Sequence, residues 1–157
     1  MDFFAHGFWS YIIFQHRSKR WFFPVLAGLI PDIISWLPFF FYRLFFGSGI
    51  GKPHLIALPG WVNVLYGIGH SLVTVAIVFL ALYLILQKIP FFLYAWPLAI
   101  FMDVLTHTRE FLPTPFLWPI SNWPFPGINW GTKSFMLLNW SLICICLGYI
   151  YWKKKRR

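Results

Sequence analysis

The sequence predicts an all-α, polytopic membrane protein, a helical bundle of about five transmembrane segments in a single domain, residues 1–157. Hydrophobic residues make up 59 % of the chain and charged residues 11 %, which leaves too little polar surface to cover a soluble globule of this length. The apolar residues also occur in long runs, separated by basic clusters or by stretches rich in glycine and proline. These features exclude an ordinary soluble domain.

The first two predicted segments both have irregularities. Residues 3–15 are apolar apart from His6 and Ser10, but the run is shorter than the roughly 17 residues that a helix needs to cross the hydrocarbon core. It therefore tilts, thins the bilayer or lies in the interface. Residues 21–46 are long enough to cross but contain Pro31-Asp32. Because an interior proline removes a backbone hydrogen bond, we predict a broken second helix with Asp32 at the break.

The rest of the chain alternates apolar segments with turns. Glycine and proline mark an exposed loop, and a run with five prolines and several tryptophans predicts an interfacial loop instead of a helix. The predicted parts are the exposed loop 47–60, the segments 61–87, 91–108 and 134–152, and the proline-rich aromatic loop 112–130.

The basic residues predict the orientation. If the terminal tail Lys153 to Arg157 is cytoplasmic, five crossings put nine of the 13 lysines and arginines on the cytoplasmic side, as the positive-inside rule requires. The tail then reads as a membrane anchor, and the net charge of +9 does not indicate a nucleic-acid partner. Cys144 and Cys146 face different sides of a helix and predict neither a disulfide nor a metal clip.

Five ionisable side chains fall within or at the edge of the apolar runs. Burial of such a group costs roughly 2.5 to 3.5 kcal/mol on insertion scales, so these residues normally mark a site. Asp103 and His107 are four residues apart and share a helix face, and the predicted topology brings all five to similar depth. They are His6, Asp32, His70, Asp103 and His107.

Imidazole and carboxylate ligands without a thiolate predict a divalent metal, with Zn or Mn favoured. A metal would also compensate the buried carboxylates. Two alternatives remain open: Asp103 and His107 pair only with each other or with Arg109, and His6 is an interfacial imidazole. Ser71 diverges from His70 on a helix and is expected either to cap a helix or to hold a neighbouring ligand in place, while Gly67 and Gly69 allow close helix packing.

The order of these motifs resembles the YdjM-like family of inner-membrane proteins, which are classed as metal-dependent hydrolases. The resemblance covers residues 6 to about 121 and implies a helical membrane protein whose five His and Asp residues bind a divalent metal in a bacterial inner membrane. The motifs that carry it are His6, Gly28-Leu29-Ile30-Pro31-Asp32, Gly69-His70-Ser71, Asp103-x-x-x-His107 and Leu117-Trp118-Pro119-Ile120-Ser121.

Two positions depart from the family pattern. Ile33-Ile34-Ser35 stands where members often carry a second acidic residue or histidine, and Leu65-Tyr66-Gly67 stands where they tend to have a His-Arg pair. These departures argue against a two-metal site.

The resulting hypothesis is hydrolysis of a lipid or other amphiphilic phosphoester by metal-activated water. The three histidines and Asp32 act as ligands, with Asp103 as a ligand or general base, so that Asp32 and Asp103 are the candidate catalytic carboxylates. The alternatives are an ion- or proton-coupled transporter and a non-catalytic membrane partner that the metal stabilises. Membrane lipid is the expected partner, and the sequence leaves the oligomeric state open.

Overall fold

The computed structural model describes residues 1–18, 20–47 and 58–156, and within these ranges the regular structure is entirely helical. The predicted exposed loop 47–60 lies mostly outside the described residues. A 3-10 turn, Phe91–Tyr94, leads directly into the fifth α-helix. The six α-helices are α1 Phe3–Phe14, α2 Phe22–Phe46, α3 Gly60–Gly69, α4 Leu72–Leu86, α5 Ala95–Thr106 and α6 Lys133–Lys155.

The predicted break at Pro31-Asp32 is wrong, because α2 continues through both Pro31 and Pro38. The hydroxyl of Ser35 donates to the carbonyl of Pro31 at 2.7 Å. This bond lies one turn after the proline, since the carbonyl that Pro31 leaves without its usual backbone donor is that of Ala27, four residues earlier. The turn is also held from outside, because α3 packs so closely that a Cβ at Gly69 would lie 2.6 Å from the Pro31 carbonyl oxygen.

The break lies instead in the third predicted segment, where residues 61–87 form two helices bent by 57°. His70 ends α3, and Ser71 has an extended backbone and accepts hydrogen bonds from the backbone N–H groups of Val73 and Thr74. Ser71 is therefore the N-cap of α4, as expected. The bend places His70 at a helix end inside the bundle.

Two described helices, α2 and α6, are long and apolar enough to cross a membrane, and the bent α3–α4 pair makes a third if it crosses as one span. This is fewer than the five crossings predicted. The two remaining apolar helices, Phe3–Phe14 and Phe91–Thr106, are shorter. Large apolar side chains are exposed on the outer faces of α4 and α6, as in a membrane protein, including Ile77, Ile85, Leu137 and Ile145.

α2 is the central helix and packs against α1, α3 and α5. One end of the bundle is basic: the Arg17 guanidinium lies over the ring of Phe91, and Lys154 donates to the hydroxyl of Tyr11. The α1–α2 turn, the start of the Phe91–Thr106 segment and the end of α6 therefore share one end.

The predicted loop 112–130 contains no helix, as its prolines indicated. It packs back on the bundle: the backbone N–H of Leu72 donates to the carbonyl of Phe116, and the Trp118 ring covers Gly67 so closely that a Cβ there would lie 2.9 Å from it. Gly67 and Gly69 thus permit close packing, as predicted. The loop covers the region in which α3 and α5 end.

Candidate metal centre

All five predicted site residues are buried and belong to one cluster of contacts. His6 comes from the first turns of α1, Asp32 from the middle of α2 and His70 from the α3–α4 bend. Asp103 lies in the last turn of α5, and His107 follows that helix with an extended backbone. The exposed fraction of each residue is between 0 and 8 %, so these groups have little contact with the surroundings of the bundle.

Asp103 is the centre of the cluster. Its Oδ1 lies 2.9 Å from Nε2 of His6 and 3.5 Å from Nε2 of His107, and its Oδ2 lies 3.5 Å from Nε2 of His70. The alternative in which Asp103 and His107 pair only with each other therefore does not hold. Arg109, the other partner considered, is exposed.

His70 lies between the two carboxylates. Its Nε2 is 3.5 Å from Asp103 Oδ2 and 3.8 Å from Asp32 Oδ1. Within the described chain, His70 Nε2 and Asp103 Oδ2 are buried without a hydrogen-bond partner. Unsatisfied buried polar atoms of this kind are rare and need an explanation. A proton or a metal ion shared among these atoms would supply one.

Two of the histidines are oriented by their other ring nitrogen. His70 Nδ1 lies 3.1 Å from the carbonyl oxygen of Tyr66, to which it can only donate, and His107 Nδ1 lies 2.8 Å from the hydroxyl of Thr114. In a neutral ring, a donated Nδ1–H leaves the lone pair of Nε2 facing the carboxylates. Histidines that bind metals are typically held in this way.

The structure adds three groups to the cluster that the sequence did not predict. The Tyr66 ring stacks on His70, with centroids 3.9 Å apart, and its hydroxyl is 3.4 Å from His107 Nδ1. Thr114 is buried in the proline-rich loop. The amino group of Met1 donates to Asp103 Oδ1 and lies 3.0 Å from His107 Nε2. Only Tyr66 had a sequence signal, because residues four apart on a helix are neighbours.

The nitrogen and oxygen donors of the cluster are of the types that bind a divalent metal, but their positions do not form a coordination site. Among the described residues, no group of three or more His, Cys, Asp or Glu side chains has that arrangement. A tetrahedral site with bonds of about 2.0 to 2.2 Å separates its ligand atoms by about 3.3 to 3.6 Å. The 3.5 Å contact of Asp103 with His70 matches this separation. The Met1 amino group contacts both Asp103 Oδ1 and His107 Nε2, and the His6 contact is a direct hydrogen bond.

Two pockets adjoin the cluster, and Tyr66 lines both. One has a volume of about 210 Å³ and includes Trp36 and Glu110 in its wall. The other, of about 380 Å³, is lined by Trp118 and Asn122 of the proline-rich loop. Tyr66 therefore separates the buried histidines from space that a ligand can enter.

No family model, curated protein or solved structure matches this chain.

Proposed function

We propose that this protein is a membrane-embedded, metal-dependent hydrolase. The observation that carries the proposal is the position of His70, whose buried Nε2 faces two carboxylates without a hydrogen-bond partner in the described chain. A neutral imidazole in this position directs a lone pair at two anions, which is unfavourable unless a cation lies between them. The resemblance to the YdjM-like family supports the same reading.

The residues that would hold the metal are His6, Asp32, His70, Asp103 and His107, and Zn or Mn suits their nitrogen and oxygen donors. A divalent metal bound there would supply a water molecule of lowered pKa and an electrophile for a phosphoryl oxygen.

The protein's own groups supply orientation and proton transfer. The Tyr66 carbonyl and the Thr114 hydroxyl hold the rings of His70 and His107. Asp103, which contacts all three histidines, is the candidate general base or a further ligand.

We propose a lipid or another amphiphilic phosphoester as the substrate. The pockets beside Tyr66 combine aromatic side chains with polar ones, including Trp36, Trp118, Asn122 and Glu110. Apolar walls with a few polar groups are typical of sites for amphiphilic ligands. Tyr66 is then the residue that contacts both the substrate and the cluster.

Replacing His70 by alanine tests the proposal. We expect the purified wild-type chain in detergent micelles to carry Zn or Mn by elemental analysis and to release phosphate from phosphatidic acid. His70→Ala should lose both, by about tenfold or more, because Nε2 is the atom that faces both carboxylates.

His16→Ala is the matched control, since His16 is exposed and should retain both properties. A His70→Ala protein that binds as much metal as the wild type would rule out the proposed site. Bound metal with no hydrolysis of phosphatidic acid or phosphatidylglycerol would favour a metal that only stabilises the fold.

The second candidate is ion- or proton-coupled transport. It is favoured by the series of contacts from Asp32 through His70 and Asp103 to His107, since alternating carboxylates and imidazoles form proton relays in membranes. The bend at His70 also resembles the interrupted helices of transporters. Metal- or proton-dependent flux into proteoliposomes, without a hydrolysed product, would select this function.

We also propose five crossings with the C-terminus in the cytoplasm, so that the shorter helices Phe3–Phe14 and Phe91–Thr106 cross a locally thinned bilayer. The gathering of Arg17, Arg20 and Lys154 at one end supports this orientation. In a Cys144→Ala, Cys146→Ala background, we expect Lys88→Cys to react only with a permeant thiol reagent and Asn122→Cys with an impermeant one added outside intact cells. Reaction of both residues from the same side would exclude this topology.

A further inference from the structure

A further pocket, of about 300 Å³, lies at the basic end of the bundle, beyond the end of α1 that is farther from His6. It is formed by the α1–α2 turn, the start of α2 and the 3-10 turn before α5. The lining residues are Arg17, Ser18, Arg20, Phe23, Phe91 and Phe92.

Aromatic rings form the wall of this pocket and hold both arginines. Phe23 stacks on Phe92, with centroids 5.1 Å apart. The Arg17 guanidinium lies 5.2 Å from the centroid of Phe91, and that of Arg20 lies 6.0 Å from the centroid of Phe23. Cation–π contacts orient a guanidinium without neutralising its charge, so both groups keep hydrogen-bond donors for a ligand.

No carboxylate side chain of the chain compensates these two charges. The sequence has four acidic residues, and the structure engages each of them elsewhere. Asp2 caps α1, Asp32 and Asp103 belong to the buried cluster, and Glu110 lines a pocket beside Tyr66. In the described part of the chain, neither Arg17 nor Arg20 forms an ion pair with a carboxylate. The pocket therefore carries two positive charges with no anionic side chain.

We infer that this pocket binds the phosphate of an anionic phospholipid. Planar guanidinium groups bind phosphate oxygens in a bidentate manner, and basic pockets between membrane helices bind anionic headgroups. The adjacent Trp21 is 62 % exposed, as is typical of a tryptophan at headgroup depth. The phenyl rings of the wall suit the glycerol and first methylene groups better than a freely soluble anion.

The test uses the full-length chain in nanodiscs that contain equal amounts of phosphatidylglycerol and phosphatidylcholine with the same acyl chains. Native mass spectrometry after release measures which lipid the protein retains. We expect the wild type to prefer phosphatidylglycerol, and Arg17→Gln with Arg20→Gln to reduce this preference by about tenfold or more, since each basic residue near the surface contributes substantially to binding anionic lipid.

Lys153→Gln with Lys155→Gln is the matched control, because it removes the same charge from the exposed end of α6, outside the pocket. As part of the basic tail these lysines also attract anionic lipid, so the preference should fall, but by clearly less than in the arginine variant. Equal retention of both lipids by the wild type, or an equal loss in the lysine control, would overturn the inference. Arg17→Lys with Arg20→Lys keeps the charge but not the planar fork. It should lower the preference even if the glutamine variant does not fold, and an unchanged preference would contradict bidentate binding.

Discussion

Replacing Asp103 by asparagine is expected to abolish metal retention and phosphoester hydrolysis together. The substitution keeps the shape of the side chain but removes the charge that three histidines contact at 2.9 to 3.5 Å. Loss of such a central group should reduce bound metal to about a tenth of the wild-type content or less. Elemental analysis after desalting, combined with phosphate release from phosphatidic acid, measures both effects.

Glu110→Gln provides the control for charge, because Glu110 is exposed and lies outside the cluster. It should bind metal like the wild type. An Asp103→Asn protein that keeps its metal but is inactive would assign Asp103 as the general base. One that keeps both metal and activity would contradict the proposed centre.

Replacing Gly69 by alanine is expected to lower both the melting temperature and the metal affinity. Its Cβ would lie 2.6 Å from the Pro31 carbonyl oxygen and 3.2 Å from the Pro31 Cα. These are backbone atoms, so α2 and α3 must separate. Overpacking of this kind costs about 1 to 3 kcal/mol, which corresponds to several degrees in Tm. The separation also moves His70 away from Asp32, and bound metal should fall about tenfold.

Gly60→Ala is the matched variant, because it changes the same residue type in the same helix and no atom lies within 4 Å of its Cβ. It should melt at or slightly above the wild-type temperature, since alanine is the better helix former. If the Gly69→Ala protein had the same melting temperature as the Gly60→Ala protein and bound as much metal as the wild type, the close α2–α3 contact would not be needed to form the site.

The five histidine and aspartate members of the cluster could be predicted from the sequence, because the cost of burying an ionisable group can be recognised without knowing how the helices pack. Any ionisable group in an apolar run needs a partner that compensates its charge. The residues in that position are His6, Asp32, His70, Asp103 and His107. Their contacts with one another follow from the need for partners. The exact positions of the donor atoms could not be predicted from the sequence, because they depend on tenths of an ångström in the packing of four elements.

The position of the helix break could not be predicted, because a break is decided by tertiary partners. An interior proline has a local cost, which predicts a break at Pro31, but α2 continues through this residue, with α3 packed closely against the Pro31 carbonyl. The turn at Ser71 contains no proline. It is stabilised by the loop, since Leu72 donates to Phe116 and the Ser71 hydroxyl donates to the carbonyl of Trp118. Thr114 could not be predicted as a member of the cluster either, because its contact with His107 also depends on how the loop packs on the bundle.

The contact between His6 and Asp103 joins residues that are 97 positions apart, which has a consequence for how the protein is made. At about 5 to 20 residues per second, translation needs about 5 to 20 s to get from one to the other. Once the first helix has left the ribosome, His6 is without its carboxylate partner for the rest of this interval. The cluster is therefore completed late in synthesis, and any ion that needed the whole set of donors would be captured only after the fifth helix had emerged.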